Sequence, residues 1–226
     1  MVAIQEAGAG RVGLAQLEPS DREPLRRLFY RLSPETLYRR FMSPIVRPEQ
    51  TRPDRLLDID HRDREAIVAV DDGEIVGVAR YVRQPGTQAA ELAVVVADAW
   101  QGRGVATRLL AALAGQAAAM GIRRFTMIMQ ADNCPILRLV RRADPSARFD
   151  LSEGVYETTV PVAASTASIR GSIHRRPTSG HRRSDGEHQH QKTDCTRHKD
   201  SPKRMKLWRF REVLLIEVRI FGPFFY

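Results

Sequence analysis

The sequence predicts an α/β layered domain built on a mixed, mostly antiparallel sheet with helices on its faces. Three observations carry this. The runs AIVAV (66–70), EIVGVARYVR (74–83) and ELAVVV (91–96) are rich in β-branched residues and sit at short spacing, as in an antiparallel meander. A leucine-alanine series at helical spacing, about 102–120, then separates ELAVVV from RFTMIMQ (124–130). That second strand is reached by a crossover, so it should lie parallel to the first. Finally, ARFDLSEGVYETTVPV closes with a hairpin through Glu153-Gly154. No internal repeat interrupts the order.

The elements follow from local signals. Ser20-Asp21-Arg22-Glu23 reads as a capping box, opening a helix whose Leu25, Leu28, Phe29 and Leu32 share one face until Ser33-Pro34 stops it. A second short helix, 34–42, has Pro in its first turn and ends at Ser43-Pro44. A third short helix is expected around 53–59. Asp71-Asp72-Gly73 joins the first two strands of the meander, because a two-residue hairpin favours Asp and Gly in its left-handed positions. Gly121 ends the long helix, and Asn133 caps a further one over 135–142.

Charge divides the chain. Residues 1–161 hold 22 arginines, no lysine and 21 acids, a balance of +1, whereas 162–226 hold 14 basic residues against 6 acids, a balance of +8. The expected organisation is a flexible N-terminus (1–11), one folded domain (12–163) and a basic, mostly disordered tail (164–226) with too little apolar surface to offset its ordering entropy. The tail's composition fits both a functional basic arm, which would contact nucleic acid or an acidic partner, and a read-through or frame-shifted segment. Within it, VLLIEVRIF has strand character, and His188 and His190 read as a solvated polar tract rather than a metal site. Cys134 and Cys195 make no disulfide framework and lack zinc-like spacing, and no apolar run reaches membrane-spanning length. MVAIQEAGAG lacks a charged leader with an apolar segment, so the expected compartment is the cytoplasm.

The candidate site is the handover from ELAVVV to the long helix. A helix that starts with bare N–H groups offers donors and a positive dipole end to an anion, and Gly102 and Gly104 let the backbone come close to a phosphate. Gln101-x-x-Gly104-x-Ala106 lacks the third glycine of a dinucleotide fingerprint and the Lys-Ser/Thr of a P-loop. Instead, VVVADAWQGRGVATRLL resembles the acyl-CoA pyrophosphate loop of GNAT-type N-acetyltransferases, with pattern Gln/Arg-x-x-Gly-x-Gly/Ala. Asn133 matches the family's usual Asn at the later helix. LFYRLSPETLYRRFMSP (28–44) is similar to the N-terminal helices of bacterial Pat-type protein-lysine acetyltransferases. The likeness covers about 12–163.

That resemblance implies acetyl-CoA as cosubstrate. Gln101, Gly102, Arg103, Gly104, Val105 and Ala106 would hold its pyrophosphate, Val94, Val95 and Val96 would pair through their main chain with the pantetheine arm, and Asn133 is also expected to bind the cosubstrate. It also implies a primary amine acceptor, protein lysine first and small amines next. An amine arrives mostly protonated, so a base must take its proton, directly or through water. Glu91 is the candidate, since Pat-type enzymes place a water-mediated glutamate there. The tyrosine that often serves this family as general acid is missing from NCPILRLVRRAD, and a thiolate leaves readily without one. Cys134 reads as a small helix-start residue rather than a nucleophile, and His61 as a surface loop residue. Tyr38 and Phe41 read as core, with Arg39 and Arg40 beside them on the acceptor-side helices, and Trp100 as packing beneath the loop. The alternative from another class is a non-catalytic acyl-CoA-binding regulator.

Overall fold

The computed structural model describes residues 12–42 and 53–162. Its first strand, β1 (Gly13–Gln16), is absent from the sequence reading: four residues carry too little periodicity to register alone, and pairing with its neighbour makes the strand. The capping box also moves. A short 3-10 turn (Pro19–Asp21) precedes α1 (Arg22–Tyr30), and the Asp21 carboxylate accepts the Glu18 N–H at 2.9 Å, while Glu23 pairs with Arg26 instead. Leu25, Leu28, Phe29 and Leu32 are buried as expected. Helix α2 (Pro34–Phe41) is capped by the Ser33 side chain on the Thr36 N–H and stops at Met42, which is left-handed. The Ser43-Pro44 stop lies outside the described residues, and the third short helix appears as a 3-10 turn, Pro53–Leu57.

The meander follows as β2 (Arg64–Asp71), β3 (Glu74–Arg83) and β4 (Ala89–Val96), with Asp72 and Gly73 both left-handed in the first hairpin. Helix α3 (Val105–Ala119) crosses over to β5 (Arg124–Gln130), then come α4 (Cys134–Ala143) and the hairpin β6 (Asp150–Ser152) and β7 (Val155–Pro161). The sheet runs β1-β2-β3-β4-β5-β7-β6, antiparallel throughout except where β4 meets β5. It is the predicted mixed sheet, and its parallel pair is the predicted one.

Strand alternation sends apolar residues to both faces, so the sheet needs cover on both. One face packs Ile67, Ala79, Tyr81 and Phe125 against Leu109 and Leu113 of α3. The other packs Val68, Val78 and Val95 against Leu25, Phe29, Leu37 and Phe41 of α1 and α2, with the two phenylalanine rings 5.8 Å apart. Helix α3 comes close to the sheet because β3 carries Gly77. A Cβ there would lie 3.2 Å from Leu109 Cδ1, from the Val95 carbonyl and from Val96 Cγ2. Gly77→Val should therefore cost about 1–3 kcal/mol through overpacking. A shift of the urea unfolding midpoint measures it, and an unchanged midpoint contradicts this account of the packing.

Candidate active site

Strands β4 and β5 form a fork. β4 pairs with β3 from Ala90 to Val96, but its parallel pairing with β5 stops after Ala89, Ala90 and Glu91, opposite Arg124, Phe125 and Thr126. β5 continues to pair with β7 along its whole length, so the two strands part at Glu91. Residues 91–94 are consequently only half-buried, although they lie in the middle of a central strand.

Hydrogen-bond alternation says which residues present backbone to the opening. The Ala97 N–H donates to Val76, and the Ala89 carbonyl accepts from Gln84, so odd-numbered residues of β4 face β3. Even-numbered residues face β5, as the contacts of the Ala90 carbonyl with Thr126 Oγ1 (3.5 Å) and of the Val96 carbonyl with Gln101 Nε2 (3.1 Å) show. Leu92, Val94 and the Val96 N–H thus line the opening. Val95 turns its backbone to β3 and its side chain into the core. Sequence reading named Val94, Val95 and Val96 as a block and passed over Leu92, because the strand's hydrogen-bonding phase is not written in residue type.

The fork opens onto the loop before α3. Gly102 (φ 73°) and Gly104 (φ 79°) are both left-handed, and a Cβ on either would meet nothing within 4 Å. Gly104 is the N-cap and supplies no side-chain cap, so the first N–H groups of α3, from Val105 and Ala106, stay available. The helix begins at Val105 rather than at Gly102, because two left-handed glycines belong to the loop. Arg103 lies over the Trp100 ring at 5.0 Å, and Trp100 packs partly against both cores, which holds the loop's floor. Gln101 ties the loop back, its Nε2 donating to Thr36 Oγ1 as well as to the Val96 carbonyl, each at 3.1 Å. Asn133 caps α4 through its side-chain oxygen, 3.5 Å from the Ile136 N–H, with Cys134 as the first helical residue.

Glu91 sits at the crotch of the fork, and its side chain shares the sheet face of Val95, beneath α1 and α2. Helix α2 lies over β4 and β5 on that face, with the Tyr38 carbonyl 3.5 Å from Gln130 Nε2. Arg80 shares it too, paired with Ala93 two residues along from the Val82–Glu91 pair. It is only 5% exposed, donates from Nη2 to the Asp58 carbonyl at 3.0 Å, and burial, reinforced by Arg40, pushes its guanidinium down to about 10. Sequence reading missed Arg80. The signal was an arginine at a core-facing position between Val78 and Val82. His61 is no part of this constellation: it is left-handed (φ 55°), and its Nδ1 lies 3.2 Å from the buried Glu65 carboxylate, which also accepts from Gln16 at 2.9 Å. It ties the β2 approach to β1.

Among the described residues no group of His, Cys, Asp and Glu could hold a metal ion, and no helix is long and apolar enough to cross a membrane. His188 and His190 lie outside the described residues.

The strand fork opens onto a glycine-flanked helix start, the place where the sequence resemblance expects a transferase's cosubstrate, and comparison with known proteins gives the family. The Acetyltransferase (GNAT) family matches residues 28–143. An acetyltransferase of Pseudomonas aeruginosa is 34% identical over 153 residues, covering 63% of this chain and 82% of that protein. The acetyltransferase Pat of Mycolicibacterium smegmatis is 33% identical over 133 residues, 57% of this chain but 40% of that longer protein. Among solved structures, the GNAT domain of S. lividans PAT matches with a TM-score of 0.62 at 28% identity, covering 67% of this chain and 91% of its own. The chain belongs to the GNAT acetyltransferase family and is an N-acetyltransferase.

Proposed function

We propose that the protein moves an acetyl group from acetyl-CoA to a primary amine, with a protein lysine side chain as favoured acceptor and small amines next. The observation that carries this is the fork itself, with Glu91 at its crotch and the open loop of Gly102 and Gly104 at its mouth. The pyrophosphate would rest on the N–H groups of residues 103–106, with Arg103 adding charge. The pantetheine arm would take the backbone positions that β5 leaves open at Leu92 and Val94, as an added strand does. The acetyl thioester then lies beside Glu91.

The residues divide the chemistry. Glu91 takes the amine proton, directly or through one water, and the neutral nitrogen attacks the thioester carbon. The carbon–nitrogen bond forms, the carbon–sulfur bond breaks with coenzyme A leaving as a thiolate, and the second proton shed by the acylated nitrogen passes through water to that thiolate. Arg80 supplies a fixed positive charge on the same face, which disfavours an arriving ammonium relative to the neutral amine. The resemblance to Pat-type enzymes and the cover of α1 and α2 over this face support a lysine acceptor. The test is thiol release from acetyl-CoA with a panel of lysine peptides and small amines. Turnover with lysine peptides is expected, and binding of acetyl-CoA without turnover toward any amine contradicts it.

The catalytic unit is proposed to be complete by Val162, where the core closes: Val162 is buried and its N–H donates to the Arg123 carbonyl at 3.0 Å. Truncation after Val162 should leave the melting temperature and acetyl transfer unchanged. A basic arm that recruits nucleic acid or an acidic partner would show as salt-dependent binding confined to the full-length chain. A truncated chain that unfolds or loses all transfer would place the boundary elsewhere.

A further inference from the structure

We propose that Asp98 is a positioning residue that fixes α2, the helix over the acceptor face, to the loop that binds acyl-CoA. This rests on the function proposed above.

Asp98 opens the 3-10 turn Asp98–Trp100 between β4 and the loop, and its carboxylate reaches 62–65 residues back along the chain. Oδ2 accepts the Ser33 N–H at 2.9 Å, and Oδ1 accepts the hydroxyls of Ser33 and Thr36, each at 2.7 Å. Thr36 in turn accepts from Gln101 Nε2 at 3.1 Å, and the same Nε2 reaches the Val96 carbonyl at the end of β4. The circuit runs from the first turn of α2 through Asp98 to the loop and back to the fork. At the far side of α2 the Tyr38 carbonyl meets Gln130 on β5. The helix is thus a strap across the fork, tied at its first turn to the arm of β4 and at its second turn to the arm of β5.

Capping alone does not account for Asp98. Ser33 already caps α2 through Thr36, so Asp98 adds contacts that only a long-range tie requires. Partial desolvation would raise the Asp98 carboxyl, but the hydrogen bonds from Ser33 and Thr36 outweigh it and hold it below the ordinary carboxylate range. It therefore stays an acceptor with charge at assay pH. Asp98 is itself exposed, so the network does little for global stability; its effect is to fix where α2 stands relative to Gln101.

The experiment uses the full chain, with Asp98→Ala, Asp98→Asn, Thr36→Val and the Asp98→Ala/Thr36→Val pair. Melting temperature, acetyl-CoA affinity by calorimetry, and amine KM and kcat are measured with one lysine peptide. Asp98→Ala should raise the amine KM about fivefold or more, with kcat at saturating amine within about twofold. Asp98→Asn keeps the oxygen facing the two hydroxyls and loses the Ser33 N–H, so it should fall between. Because both residues belong to one circuit, the pair should do no more harm than its worse member. Thr36→Val keeps the test valid if Asp98→Ala fails to fold. An amine KM within twofold of wild type in all variants, or fully additive effects, overturns the positioning role while leaving the acetyltransfer reading intact. A wild-type chain that releases no thiol with any amine overturns that reading and this proposal together.

Discussion

Gly104→Val is expected to weaken acetyl-CoA binding by roughly 100-fold or more while leaving the chain folded. Gly104 holds φ 79°, and a Cβ there meets no atom of the protein within 4 Å, so packing does not object to a side chain. Two other terms act. A β-branched residue in the left-handed region is strained by about 1–3 kcal/mol, which a domain of ordinary stability survives. Its methyl groups would stand in the open volume before α3, where the proposed pyrophosphate sits on the N–H groups of Val105 and Ala106. Losing two charge-assisted hydrogen bonds at about 1.5–3 kcal/mol each weakens affinity by roughly 100-fold or more. Calorimetry on the folded variant checks this. Gly104→Ala, with the strain but little of the bulk, should be milder. Unchanged affinity in the valine variant would remove the loop from the binding site.

Glu91→Gln should lower kcat by roughly 100-fold or more at neutral pH, with acetyl-CoA affinity nearly unchanged. Glutamine keeps the size of the side chain at the crotch of the fork and removes only its capacity to take a proton. The backbone of Glu91 faces β3 and is not among the groups proposed to hold pantetheine, so cosubstrate binding is expected to persist. Turnover within a few-fold of wild type at every pH would mean that another group takes the proton or that the amine enters neutral.

Much of the fold was legible. β3 and β5 begin and end where the sequence places them, since each is an apolar, β-branched run bounded by a turn signal on at least one side. The glycines of the loop and the capping Asn133 could be read because each answers a local backbone need. β1 could not, since four residues hold a strand only by pairing. The capping box was displaced by two residues because Glu18 and Asp21, like Ser20 and Glu23, stand three apart, and the choice between the two pairs is made by how the turn packs.

By itself the sequence determined the order of elements from α1 onward and the glycines of the loop, which follow from neighbours in the chain, and it carried the family resemblance that makes Glu91 the candidate base. Only the tertiary structure decided that β4 and β5 part at Glu91, that Leu92 rather than Val95 presents its backbone to the opening, that Arg80 lies buried on the face of Glu91, and that Asp98 ties Ser33 and Thr36 to the loop. The reason is range. Caps and turns are settled within a few residues. Strand phase, the face a side chain takes and a hydrogen bond across more than sixty residues depend on which partner the folded chain brings alongside.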